Sequence, residues 1–289
     1  MKVNREFKEA LLFVAPLVIF ISFFILLPIC GTFWTSLWQD VAFISKKFIG
    51  LENYVRLLSD RHFWQSTYFT LLFPLISVSL EMFFGMIFAL VLNETFRFRG
   101  ILRGISLIPW AIPSIVGARI WQLIYRYDYG LANLFLKMFG IQSINWLGSP
   151  VGAFSALVLA DVWRTTPFVA IILLAGLQTV PNDIYDQAQV DGSNFVQRFF
   201  KITLPLIKPI VIIALLFRTI DAIRVFDLIY VITEGGPGGV TTSLSLYGYK
   251  FFLLGDFGYG STVSVILFLI SFIIALTYIK VGRIRTSIL

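Results

Sequence analysis

Residues 185–209 read YDQAQVDGSNFVQRFFKITLPLIKP and form a polar, charged insert between two strongly apolar segments. Asp183 and Asp186 predict a short helix here, because carboxylates near a helix start complement the positive end of the helix dipole. Gly192 can end that helix in a left-handed backbone conformation. Ser193 can cap a second helix, which Pro205 is expected to stop. By itself the pattern predicts a helical hairpin on a membrane surface.

The insert also carries a motif of a known family. Asp186-Gln187-Ala188, Asp191-Gly192-Ser193, Ile202 and Leu204-Pro205 resemble the EAA motif of ABC importer permeases, which runs Glu-Ala-Ala, Asp-Gly-Ala and Ile-x-Leu-Pro. Asp186, Gln187 and Ser193 depart from that pattern. In the family this loop is the coupling helix, which docks into a cleft on the ATPase subunit. The resemblance implies that five residues couple this chain to a separate ATPase: Asp186, Ala188, Asp191, Gly192 and Ser193.

The composition indicates an integral membrane protein. Of the 289 residues, 58% are hydrophobic and 13% are charged, whereas soluble domains carry about 25% charged residues. The single cysteine, Cys30, excludes a disulfide framework and a cysteine-based metal site. The net charge of +7 fits the basic bias of cytoplasmic loops. The sequence contains no basic cluster with interleaved aromatic residues, so nothing in it indicates a nucleic-acid partner.

Six apolar stretches are long enough to cross the hydrocarbon core, which takes about 20 residues. The predicted fold is an all-α membrane protein with six transmembrane helices, at Leu11–Phe33, Ser66–Leu92, Ile105–Tyr125, Val151–Leu177, Ile210–Ile232 and Ser261–Ile279. Residues 1–65 are expected to form an N-terminal span and the first periplasmic loop. Residues 66–281 form a permease core that includes the coupling loop 178–209, and residues 282–289 form a cytoplasmic tail.

The basic residues are distributed unevenly between the two sides of the membrane. Twelve of the 23 Lys and Arg residues lie on the side of both termini and the coupling loop, and seven lie on the opposite side. Because cytoplasmic loops carry the excess of Lys and Arg, we expect both termini and the coupling loop in the cytoplasm. The resemblance implies a multi-pass protein in the cytoplasmic (inner) membrane of a prokaryote.

Eight ionisable residues fall at membrane depth: Glu81, Arg119, Asp161, Arg164, Arg218, Asp221, Arg224 and Asp227. Charged groups are costly against lipid, so they are expected to face the helix bundle or an aqueous cavity. Two interpretations stay open. In the first, they are ion pairs that hold the spans together, with Asp161 beside Arg164 and charges of alternating sign at every third residue of span five. In the second, they line a translocation path. The balance of signs favours a neutral, hydroxyl-rich substrate.

A second resemblance concerns span five and the loop after it. Arg218-Thr-Ile-Asp221-Ala-Ile-Arg224-Val-Phe-Asp227, followed by Gly235-Gly-Pro-Gly238, is similar to the maltose/trehalose branch of sugar ABC permeases. This implies a type I importer fold and a substrate such as maltose or trehalose. It also implies a second permease subunit, two ATPase subunits and an extracytoplasmic sugar-binding protein. Candidates for stacking on sugar rings are Trp110, Trp121, Trp163 and Tyr247, with belt or packing roles as the alternative.

The sequence lacks the G-x-x-x-x-G-K-[ST] motif, so the chain cannot bind ATP through a P-loop. The resemblance therefore places ATP and Mg on the partner ATPase, and this chain is expected to hold no cofactor, metal or catalytic site. The alternative function is an ion-coupled secondary carrier that uses the carboxylates of spans four and five. Such carriers usually show internal repeats with matching broken helices, and none is visible between the two halves.

Overall fold

The computed structural model describes residues 2–282, with side chains from Phe7 onward. The predicted tail beyond Gly282 lies outside the described residues. The helices are α1 Lys2–Ile21, a π-helix Ser22–Leu26, α2 Leu27–Ser36, α3 Glu52–Leu58, α4 Arg61–Asn93, α5 Arg99–Ser106, α6 Ile108–Ala111, α7 Ser114–Ile124, α8 Leu131–Met138, α9 Pro150–Leu177, α10 Asn182–Val190, α11 Phe195–Arg198, a π-helix Phe199–Thr203, α12 Leu204–Leu206, α13 Lys208–Ile223, α14 Asp227–Ile232, α15 Leu244–Leu253 and α16 Phe257–Gly282. Two short strands are β1 Trp38–Gln39 and β2 Lys47–Phe48.

One compact unit comprises the residues up to Phe63 together with Tyr247–Phe268. Within it β1 and β2 pair antiparallel. Asn53 is buried, and its Nδ2 donates to the carbonyl oxygens of Ser36 and Trp38, at 3.0 Å each. The backbone N–H of Phe257 donates to the carbonyl of Asp40 at 2.8 Å. These bonds fasten the polar loop after α2 to the first residues of α16.

The second unit comprises Trp64–Leu246 and the residues from Leu269 onward. Its core lies where α4, α9 and α13 meet, with Ala89, Val169 and Ala214 fully buried. Membrane helices approach each other closely where small residues lie at the contact. A Cβ atom added to Gly85 would lie 2.7 Å from Val169 Cγ1. Glycine at this position therefore permits the close contact between α4 and α9.

The long apolar helices agree with the predicted membrane class. The helix through Phe7–Ser36 and helices α4, α9 and α16 are each long and apolar enough to cross a membrane. Two further candidates are bent pairs: Arg99–Ala111 with Ser114–Ile124 at 85°, and Phe195–Leu206 with Lys208–Ile223 at 70°. The described chain thus has four candidate spans, or up to six if each bent pair crosses once.

The helices expected at spans three and five are each interrupted in the structure. In span three, Ile112 is extended, because the residue before a proline is disfavoured in the helical region. In span five, α13 ends at Ile223 and α14 begins at Asp227. Non-helical backbone at membrane depth is tolerated where it lines a cavity or is buried in protein. The second break meets that condition, because the residues between α13 and α14 line a polar cavity.

Candidate translocation site and coupling loop

The break between α13 and α14 forms part of the wall of a polar cavity of about 310 Å³ within the second unit. Its charged lining residues are Asp161, Arg164, Asp221, Arg224 and Asp227. Ser114, at the start of α7, contributes a hydroxyl. Five of the eight charges predicted at membrane depth therefore meet in one place. They arrive from α9, the end of α13 and the start of α14.

A sixth charge, Arg218, is buried beside the cavity and holds its wall together. Arg218 is 2% exposed and Glu81 on α4 is fully buried. Their contact is bidentate, with Nε to Oε2 at 2.6 Å and Nη2 to Oε1 at 2.9 Å. Arg218 Nη1 also donates to Asp221 Oδ2 at 2.6 Å, and Nη2 to Asp161 Oδ2 at 3.4 Å. One guanidinium thus links α4, α9 and α13, with the planar two-point geometry that only arginine offers.

The remaining cavity charges are more accessible. Arg224 Nη2 lies 3.6 Å from Asp221 Oδ1, and the two side chains are 68% and 48% exposed. The Ser114 hydroxyl donates to Asp227 Oδ2. Arg164 is half-buried and makes no hydrogen bond or ion pair with another described residue. Its guanidinium attracts Asp161 electrostatically without a direct contact, and its donors face the cavity.

Two details of the predicted pairing are wrong. Asp161 pairs with Arg218, and within residues 7–282 no ion pair joins it to Arg164, its neighbour three residues on. The alternating series of span five also stops at Arg224, because the helix ends there and Asp227 turns to Ser114. Arg119 lines no part of the cavity; it is exposed and donates to Gln122 at 2.7 Å.

The predicted aromatic residues lie in packed clusters. Trp110 stacks on Phe168 with ring centroids 5.1 Å apart. Trp121 and Trp163 meet edge to face at 5.7 Å. Neither these tryptophans nor Tyr247 lines the polar cavity. Tyr247 is 7% exposed, so its ring is covered by neighbouring residues of the first unit.

The Tyr247 hydroxyl donates to the Asp60 carboxylate, as does that of Tyr259. Burial by itself would raise the pKa of Asp60. The hydrogen bonds from Tyr247, from the His62 N–H and from Tyr259 outweigh burial and hold the pKa below its usual value. Arg56 lies over the Tyr259 ring at 4.7 Å and pairs with Asp256 at 3.7 Å. This cluster joins the end of the first loop to α15 and the first turn of α16.

The predicted coupling loop forms two short helices joined at Gly192. Helix α10 ends at Val190, and Gly192 has φ +80° with nothing within 4 Å of a Cβ placed there, as predicted. The prediction that Ser193 caps the second helix is wrong. Asn194 is the cap, in a capping box with Gln197. Ser193 Oγ instead donates to the Ala188 carbonyl, which closes the preceding turn.

Pro205 does not stop the second helix. A π-helix and then α12 continue it to Leu206, one residue beyond Pro205. Asp186, Asp191 and Gly192 are exposed, and so are Val190 and Phe195 at 88% and 63%. The tip of the hairpin is thus an exposed surface with both acidic and apolar groups.

Sequence reasoning missed Ser114 as part of the site and Gln122 as a residue that holds two of its helices together. Gln122 Nε2 donates to the Val231 carbonyl at 2.7 Å, which holds α7 against α14. Pro109 and Pro113 could have indicated Ser114, since a helix break at these prolines exposes the first turn of α7. The partnership of Glu81 with Arg218 had no local signal, because 137 residues separate them.

Comparison with known proteins identifies the class. The family model "Binding-protein-dependent transport system inner membrane component" matches residues 81–282. The trehalose/maltose transport system permease protein MalF of Thermococcus litoralis is 53% identical, over 97% of this chain and 96% of its own length. The trehalose transport system permease protein SugA of Mycobacterium tuberculosis H37Rv is 37% identical, over 95% and 89%.

The fold matches a solved transporter. A crystal structure of a bacterial ABC transporter involved in import of the acidic polysaccharide alginate superposes with TM-score 0.84 at 23% identity, covering 99% of this chain and 100% of that one. The chain belongs to the family of binding-protein-dependent transport system inner membrane components. It is the permease, or translocation, subunit of an ABC importer, and its fold is that of an ABC importer permease.

Proposed function

We propose that this chain carries a neutral di- or oligosaccharide across the inner membrane through the polar cavity at the α13–α14 break. The cavity is the observation that carries the proposal. Its volume of about 310 Å³ falls at the lower end of ligand pockets, which span roughly 300–1,000 Å³. It is lined by donors and acceptors of both signs, which is what a hydroxyl-rich ligand requires.

The charges support a neutral substrate. The cavity and the buried network beside it contain four carboxylates and three guanidinium groups. Arg218 is saturated by three of those carboxylates, so no strong surplus of either sign is left for a phosphate or a sulfate. The names of the relatives, with trehalose and maltose among them, support the same substrate class.

A substitution at Arg164 tests the cavity. Because no described residue pairs with Arg164, Arg164→Gln should leave the complex assembled and remove a charged donor from the path. A hydrogen bond to a charged group contributes about 1.5–3 kcal/mol, so the KM for uptake of labelled trehalose or maltose should rise roughly ten- to a hundredfold. The matched control is Arg126→Gln, an exposed arginine outside the cavity. Unchanged KM in Arg164→Gln would remove the cavity from the path.

We further propose that residues 186–193 are the coupling helix and dock on a separate ATPase, which holds ATP and Mg. The exposed tip with Val190 and Phe195 beside two carboxylates supports this. Gly192→Trp should abolish uptake and substrate-stimulated ATP hydrolysis. Gly140→Trp is the control, because Gly140 also has a positive φ (+72°) and open space around it. It carries the same backbone strain elsewhere, so equal loss in both variants would contradict docking at Gly192.

The proposed assembly has a second permease subunit, two ATPase subunits and an extracytoplasmic sugar-binding protein, with six spans and both termini in the cytoplasm. Cysteine labelling checks the orientation. An impermeant maleimide added outside sealed cells should label Ser45→Cys and spare Asn194→Cys. Energy coupling is checked separately: loss of uptake when the ion gradients are collapsed and ATP is maintained would contradict ATP-driven transport and favour coupling to an ion.

A further inference from the structure

A second cavity in the second unit is apolar and shares no lining residue with the polar one. It is a groove of about 540 Å³ formed by the C-terminal half of α4, the middle of α9 and the segment that runs from Phe96 to Pro109. Phe84, Phe88 and Trp163 line it. Apart from Ser106 and Thr166, the lining side chains are apolar or aromatic. Its form suits a flexible hydrocarbon chain.

Basic residues flank the end of this groove where α4 ends. Arg97 and Arg99 are exposed, and Arg97 lies over the Phe98 ring at 5.2 Å. Helix α5 is strongly amphipathic. Arg99 and Arg103 share one of its faces at i, i+4, and the adjacent face carries Leu102 and Ser106, which line the groove. Glu94 is the one acidic residue between positions 93 and 106, so this segment keeps a net positive charge.

Two buried hydrogen-bond donors at the groove have no partner among the residues that the structure describes. Arg103 Nη2 donates to the carbonyl of Leu92, a groove residue, at 2.9 Å. Its Nε is buried and makes no hydrogen bond within the described residues. The hydroxyl of Thr166, which is 3% exposed, has no partner there either. Buried donors are normally satisfied, and the phosphate oxygens of a lipid at this end of the groove would satisfy Arg103 Nε.

We propose that the groove binds an anionic phospholipid. One acyl chain lies against Phe84, Phe88 and Trp163, and the headgroup phosphate lies against Arg97, Arg99 and Arg103. Charge complementarity selects this occupant. A basic segment at the end of membrane helices attracts anionic headgroups, whereas the phosphate of a zwitterionic lipid is already compensated by its own cation. The lipid would fix α5 against α4 and α9 beside the entrance to span three.

Native mass spectrometry of the purified transporter tests this proposal. The complex is equilibrated in detergent with equimolar phosphatidylglycerol and phosphatidylcholine, and the retained lipids are counted. Wild type should retain phosphatidylglycerol in excess. The double variant Arg97→Gln/Arg99→Gln should lower the ratio of phosphatidylglycerol to phosphatidylcholine about thirtyfold. Each basic residue strengthens anionic-lipid binding by roughly five- to sixfold, and the two factors multiply. Val91→Trp keeps the charge but narrows the groove, and it should lose both lipids.

Matched controls separate the site from general effects. Arg126→Gln/Lys137→Gln removes two exposed charges elsewhere, and Val116→Trp enlarges an exposed valine outside the groove. Both should retain lipid as wild type does. Equal retention of the two lipids by wild type, or loss in the controls equal to that in the variants, overturns the proposal. So does protection of Val91→Cys from maleimide in the delipidated complex, because a helix of another subunit would then cover the groove.

Discussion

Arg218 and Arg224 lie on the same segment, and we predict that Arg218→Met destabilises the protein whereas Arg224→Met does not. The two lie six residues apart and differ in burial, at 2% and 68% exposed. Removing Arg218 leaves Glu81, which is fully buried, without its bidentate partner. Breaking a buried pair in this way costs about 3–5 kcal/mol. The Arg224–Asp221 contact at 3.6 Å between half-exposed groups contributes about 0–1 kcal/mol.

The assay is a denaturant titration of the purified complex, followed by size-exclusion chromatography to score the assembled fraction. Arg218→Met should lose several kcal/mol of unfolding free energy, and Arg224→Met should stay close to wild type. The double variant Arg218→Met/Glu81→Met removes the bidentate pair and leaves only Asp161 and Asp221 without their arginine. It should recover part of the loss, because a buried pair replaced by apolar side chains is often neutral. Equal losses at both arginines, or no recovery in the double variant, would refute the assignment of Arg218 as the buried link.

Three further predictions concern parts of the fold outside the cavity. Tyr247→Phe should raise the pKa of Asp60, because it removes a hydrogen bond to the carboxylate. A carboxylate with a depressed pKa contributes stability that is lost as the pH falls through that pKa. The variant loses part of this stability, so its acid unfolding should begin at higher pH than that of Tyr129→Phe, a control at an exposed tyrosine. Gly85→Leu should separate α4 from α9 and lower the yield of assembled complex on chromatography, whereas Gly31→Leu, which meets no atom within 4 Å, should not. Asn133→Asp should loosen residues 126–149, measured as faster amide exchange, because the buried Asn133 donates to the carbonyls of Tyr127 and Ile144 and a carboxylate cannot.

The sequence determined the class of the protein and the approximate place of its candidate spans, because apolar length largely decides whether a segment can cross a membrane. It also determined the joint between the two helices of the predicted coupling loop. Gly192 can adopt φ +80° without the Cβ strain that other residues meet. The charges predicted at membrane depth indicated the polar cavity for a similar reason, since a costly group persists there only where something satisfies it.

Only the tertiary structure decided how those charges are partnered. Charges spaced by three residues predict ion pairs along one helix. Arg218 instead makes its bidentate contact with Glu81, which lies 137 residues away in the sequence. Helix α13 ends at Ile223 although the apolar run continues, and the cavity forms at that break. The second helix of the predicted coupling loop is likewise capped by Asn194 and not by Ser193, because Gln197 completes a reciprocal pair with Asn194. Local pattern fixes which residues need partners, whereas the packing of distant helices fixes which partner each one finds.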